Sequence, residues 1–221
     1  MKIRLLSAGL FLMMGFAPLS AGAVPSCPTT PFPTINIQVL DPQHTLSTSK
    51  SLRQINSMAN LKGLHQKGKT THGMTQSLVE ASMSAKFTGL KEPRGPVCIS
   101  LSDLKVQFGH RKLLVHLPRE YGRGSCQYNV VLRHEMAHVN VNRGAVRKYA
   151  AILNSELRLD IQRSRTLKTT TMMRGKQVFQ KRLRAIIKAV MDRHTKEINT
   201  LHAKIDAPDS PYLADGKCAS W

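Results

Sequence analysis

Apolar and polar positions alternate along the first half of the chain and recur at helical intervals along the second. Thr34–Leu40 (TINIQVL) has period two, the sign of a half-buried strand. Residues 49–60 space Leu52, Ile55 and Met58 at helical intervals, which predicts a short amphipathic helix. Residues 61–73 (LKGLHQKGKTTHG) are basic and glycine-containing and read as a solvated loop. Residues 78–87, 96–101 and 111–117 each predict a strand, and 118–125, with Pro118, Gly122 and Gly124, predict a turn-rich connector. From Tyr128 the period becomes 3.6, with Val131, His134, His138, Val141, Ala145, Tyr149, Ile152, Glu156 and Leu159 on one stripe. Residues 169–175 interrupt it. Residues 176–205 carry a second stripe of Phe179, Leu183, Ile187, Val190, His194, Ile198, Leu201 and Ile205. The tail, 207–221, contains Pro208, Pro211 and Gly216 and reads as a loop held by Cys218. No internal repeat is visible. The predicted class is α+β: a small N-terminal antiparallel or mixed sheet, then two long antiparallel helices.

The N-terminus changes the compartment. Lys2 and Arg4 precede an apolar run, 5–16, and Ala21-Gly22-Ala23 has the small-x-small pattern of a signal-peptidase site. Residues 1–23 therefore read as a signal peptide, 24–33 as a Pro-rich leader and 34–221 as a single domain. No later stretch reaches about 18 apolar residues, so no transmembrane segment is expected after signal cleavage. An exported chain, periplasmic or secreted, with four cysteines and no C-x-x-C pair implies two disulfides rather than thiolate metal sites. Cys98 and Cys126 flank a strand-like region while Cys27 and Cys218 lie near the two ends; these positions favour Cys98–Cys126 and Cys27–Cys218 among the three possible pairings.

Composition adds a partner class and removes others. Lys plus Arg number 33 against 13 acids, a net charge of +20, yet 41% of residues are hydrophobic, too many for a disordered polycation. Aromatics are 5%, against a stacking-based binder of single strands, and no nucleic-acid fold signature appears. Specific nucleic acid is not expected; anionic envelope surfaces are.

The chemistry sits at residues 134–138, His-Glu-Met-Ala-His. On a helix, positions i and i+4 share a face, so both imidazoles can reach one metal ion while the intervening acid stands beside it. Nine His and six Glu in 221 residues make a chance H-E-x-x-H a roughly 0.01 event. The motif resembles that of the zincin metallopeptidases. That resemblance implies Zn2+ held by His134 and His138, with Glu135 as general base toward the zinc-activated water. It also implies a peptide or protein substrate lying along a sheet edge, with residues 111–117 in the place of a strand before the active helix. More loosely, the mature chain is similar to an uncharacterised bacterial family described as secreted zinc-dependent proteases.

The third donor is less determined. Val141 and Gly144 stand where the longer metzincin motif needs Gly and His, which excludes that subclass. Glu156 lies about 27 Å beyond His138 on an unbroken helix, and can serve only if the chain turns near Asn140–Gly144. An antiparallel hairpin turning near residue 170 sets His202 level with His138 and Asp206 level with His134. His202 is the expected third ligand, with Asp206 and Glu156 as alternatives. His202-Ala-Lys-Ile-Asp206 also resembles a His-x-x-aromatic-Asp run of the looser family, with Ile205 departing from the aromatic. His194 reads as a packed core histidine, His110 and His116 flank a predicted strand, and Tyr121, Tyr128 and Tyr212 are candidate oxyanion donors. The expected function is thus an exported zinc metallopeptidase with Glu135 as its catalytic residue. The rival is a basic cell-envelope binding protein whose metal is only structural.

Overall fold

A computed structural model describes residues 27–61, 70–91, 95–214 and 218–219. The predicted signal segment 1–23 and most of the basic loop 61–73 lie outside these residues. The class is α+β. Five strands, β1 (Thr34–Leu40), β2 (Thr45–Ser47), β3 (Met74–Lys91), β4 (Val97–His116) and β5 (Thr166–Thr169), form one mixed sheet. Four helices accompany it among the described residues: α1 (Leu52–Leu61), α2 (Cys126–Arg163), α3 (Met172–Ile205) and the short α4 (Pro211–Ala214).

β4 is the axis of the sheet. β3 pairs antiparallel along one of its sides; β5, β1 and β2 succeed one another along the other, the last two parallel to it. Where the sequence predicted separate strands at 96–101 and 111–117, one 20-residue strand runs through. Gly109 bends this strand without breaking it. Its φ of 143° and the carbonyl of Leu40, 2.2 Å from where a Cβ would stand, leave room only for glycine. The pairing with β3 slips nearby, between Leu78 and Val79, so the long ladder curves rather than ends.

One sheet face is wet. The other carries Ile99, Leu101, Leu104, Val106 and Phe108, which pack on Val146, Leu153, Leu157 and Ile161 of α2 and on Phe179, Leu183, Ile187 and Val190 of α3. The α3 stripe is the predicted one. The α2 stripe is right near the motif but drifts beyond it: Leu159 is 49% exposed and Glu156 is ion-paired. Residues recurring every 3.5 positions precess around a straight helix, and α2 must also face both the sheet and α3. The helices are antiparallel, since His138–His202, Lys148–Glu197, Arg193–Glu156 and Arg182–Asp160 descend α3 as they ascend α2. Asp41, after β1, receives Arg143 and Arg147 one turn apart and so fixes α2 against the sheet; their charges and hydrogen bonds hold its carboxyl below the ordinary range despite the cost of burial.

The disulfides are Cys27–Cys98 and Cys126–Cys218, not Cys98–Cys126 and Cys27–Cys218. About 60 Å of extended β4 separates Cys98 from the turn before Cys126, so those two stand at opposite ends of the sheet. The α2–α3 hairpin instead returns the tail to the start of α2. Separating the sulfurs of Cys126 and Cys218 by Cys126→Ser plus Cys218→Ser should cost about 2–5 kcal/mol in urea unfolding at pH 7.

His194 is buried edge-on to Phe108 and Tyr149, and His110 is buried with its Nδ1 2.8 Å from Ser77 Oγ. Burial pushes both imidazoles below their ordinary value of 6.5. The unfolded chain therefore takes up protons first, and stability complete above about pH 6.5 falls as the pH drops below it. Melting temperatures between pH 7.5 and 5 should show that decline, and His194→Leu should make it shallower.

Candidate metal centre

α2 starts at a defined phase because Ser125 Oγ accepts the backbone N–H of Tyr128, capping the helix. Two turns later His134 and His138 project from the face turned toward the end of α3. Their Nε2 atoms are 3.2 Å apart. The helix runs unbroken through 140–144, so no turn brings Glu156 back; it pairs with Arg193 at 2.6 Å, toward the turn of the hairpin.

Asp206 completes the cluster. It is the C-cap residue of α3, its backbone N–H bonded to the carbonyl of His202, and its Oδ1 lies 3.1 Å from His134 Nε2 and 3.0 Å from His138 Nε2. A carboxylate is disfavoured at a helix C-terminus, where the backbone dipole is negative. Here the two imidazoles outweigh that cost and the cost of burial, and hold the Asp206 carboxyl well below the usual range. Burial would lower the pKa of His134, but the hydrogen bond to Asp206 and the charge of Glu135 raise it above 6.5.

His134, His138 and Asp206 form a group able to hold a metal ion. The triangle of donor atoms has edges of 3.0–3.2 Å, close to the roughly 3.3 Å that tetrahedral bonds of about 2.0–2.1 Å would span. Half-exposed Asp206 leaves one side of the triangle open to solvent, while His138 is buried.

His202 comes to the same place with a different contact. Its Nδ1 faces His138 Nδ1 at 2.8 Å, on the side of that ring away from the donor triangle. Its Nε2 is 3.3 Å from Nδ2 of the buried Asn142. The expected third donor, His202, therefore stands behind His138, and Asp206, one turn further along α3, occupies the donor position.

Glu135 is 3% exposed. Its Oε2 accepts a 2.7 Å hydrogen bond from Thr75 Oγ1, at the start of β3. Burial pushes its carboxyl pKa up, against the opposing charges of His138 and His134 and the bond from Thr75. Thr75 and the glycine before this strand were missed by sequence reasoning, since their partner lies 60 residues away. A Cβ on Gly73 would stand 2.5 Å from Val131 Cγ1 and 2.6 Å from Glu135 Oε1, so only glycine lets the strand approach α2 this closely.

The tyrosines divide. Tyr121 pairs through its hydroxyl with His72 Nδ1 at 2.5 Å, Tyr128 is buried in the small core beside Leu113 and Val131, and Tyr212 is exposed. His116 Nε2 lies 3.3 Å from Gln76 Oε1. His194 is in the core, as expected of it.

Gly73→Ala should push the Glu135 carboxylate or the start of β3 aside and cost about 1–3 kcal/mol in thermal unfolding, with bound metal, measured by elemental analysis, unchanged. Loss of metal in this variant would show that Gly73 supports the donor triangle rather than Glu135 alone.

No family model, no curated protein and no solved structure matches this chain.

Proposed function

We propose that the chain is an exported, zinc-dependent metallohydrolase of the zincin type that cleaves amide bonds in peptides or proteins. The observation that carries this reading is the joint placement of His134 Nε2, His138 Nε2 and Asp206 Oδ1 around one point, with Glu135 between the two histidines on the same helix. Two imidazoles and a carboxylate with an open side are a donor set that zinc accepts in hydrolases. Zinc held by them would supply the Lewis acidity that makes water an effective nucleophile near neutral pH.

The protein's own residues would do the rest. Thr75 Oγ1 holds one oxygen of the Glu135 carboxyl and so fixes its plane. Burial moves that carboxyl toward neutral pH, where a general base works best, and Glu135 would take a proton from the attacking water and return it to the leaving amine. β3 is paired on one side only among the described residues, and its start passes Glu135. An extended peptide added along that edge would run past the base, with backbone hydrogen bonds supplying affinity. Export is supported by the N-terminal pattern and by the two disulfides; among the described residues no helix is long and apolar enough to cross a membrane.

One observation favours a second reading. Glu135 is almost fully buried and already bonded to Thr75, as a structural acid would be. On that reading the metal only ties α2 to α3, and the basic surface binds anionic envelope polymers.

Glu135→Gln separates the two. It should retain about one zinc per chain yet lower cleavage of a peptide library by about 10²- to 10⁴-fold, read by mass spectrometry. Cleavage at wild-type rate in this variant would support the structural reading, and His134→Ala should lose the metal on either.

A further inference from the structure

We infer that His202 is a positioning residue that orients His138. The inference rests on the metal reading above and concerns how the donor triangle is held.

An imidazole that gives Nε2 to a cation has only Nδ1 left with which to fix its ring. Metal-binding histidines commonly spend that nitrogen on a carboxylate, a carbonyl or water, and the partner sets ring orientation and affinity. The two histidines of this site differ sharply. His134 Nδ1 is buried with no hydrogen-bond partner among the described residues. His138 Nδ1 has one, the Nδ1 of His202 at 2.8 Å, with the two rings 4.8 Å apart between centroids and tilted by 54°. Side-chain control of ring orientation at the site therefore enters through His138.

Asn142 closes the arrangement. It is 2% exposed, and its Nδ2 lies 2.9 Å from the carbonyl of His138 and 3.3 Å from His202 Nε2. With His138 Nδ1–H donating, His202 Nδ1 accepts and its Nε2 carries the proton, so the Asn142 amide donates to the His138 carbonyl and only packs against His202. Both nitrogens of His202 face protein, so His202 could become a ligand only by giving up both contacts. His202 brings an imidazole rather than a carboxylate to a site that already contains Asp206 and Glu135. A carboxylate in its place would add a third negative charge.

The test uses the full-length, oxidised protein with zinc alone, its affinity measured by competition with a chromophoric chelator, and with Co2+ as a spectroscopic probe. His202→Ala should weaken zinc binding about 10- to 100-fold and leave the intensity of the visible Co2+ bands unchanged, because the donor count is unchanged. His202→Gln should restore affinity to within a few-fold, since an amide oxygen can accept from His138 Nδ1. Asp206→Ala should abolish the site. The inference is overturned if His202→Ala removes the metal or shifts the Co2+ bands while Asp206→Ala keeps it, for His202 is then a ligand. It is equally overturned if His202→Ala leaves zinc affinity unchanged. A wild-type chain that binds no zinc would end the metal reading itself, an outcome visible before any variant is made.

Discussion

The site depends on the depth to which α3 is docked along α2. His134 and His138 sit one turn apart on one helix, and any helix with that spacing would offer the same two imidazoles. What makes them a three-donor group is that α3 ends beside them, with Asp206 at its C-cap. The hairpin is set far from the site, by Phe179, Leu183, Ile187 and Val190 packing with Leu153, Leu157 and Ile161 against the sheet, and by ion pairs from Arg182–Asp160 to Lys148–Glu197. Those exposed or half-exposed pairs contribute little energy each, and the buried stripe dominates. A slide of α3 by one turn, about 5.4 Å, would withdraw the carboxylate and present a different face to His138.

The second constraint comes from the sheet. β3 approaches α2 closely enough at Gly73 for Thr75 to reach the Glu135 carboxyl. Two elements therefore determine two aspects of the chemistry: α3 supplies the third donor, and the start of β3 sets the state and orientation of the acid. Both meet on α2, which Asp41 secures through Arg143 and Arg147. The acid and the donors are adjacent in sequence yet held by different elements.

Much of this was legible in the chain, and the failures have physical causes. The hairpin and its approximate level followed from two long stripes and a short interruption. That level could not choose between His202 and Asp206, because residues i and i+4 lie on one face and a small slide along the axis decides which meets the partner. The continuity of β4 was not read, because the strand bends at Gly109 and its middle carries polar positions between the two apolar runs. The α2 stripe lost phase because an approximately 3.5-residue repeat cannot stay on one face of a helix that packs on two neighbours. The pairing of Cys126 with Cys218 could have been inferred from the hairpin itself, which sends the tail back to the start of α2. Proximity along the sequence favoured Cys98 instead. Thr75 and Asn142 carry no local signal, because their importance lies in contacts made only after folding.

The Cys126–Cys218 bridge gives the site a covalent topology of its own. It closes a ring of chain containing α2, β5 and α3, and all three donors lie inside that ring. One peptide bond hydrolysed anywhere within the ring, including the exposed connection before α3, would yield a nicked molecule whose two pieces stay joined. A chain that meets proteases after export would accumulate such a cut and keep its two helices as one tethered unit, if the proposed export holds.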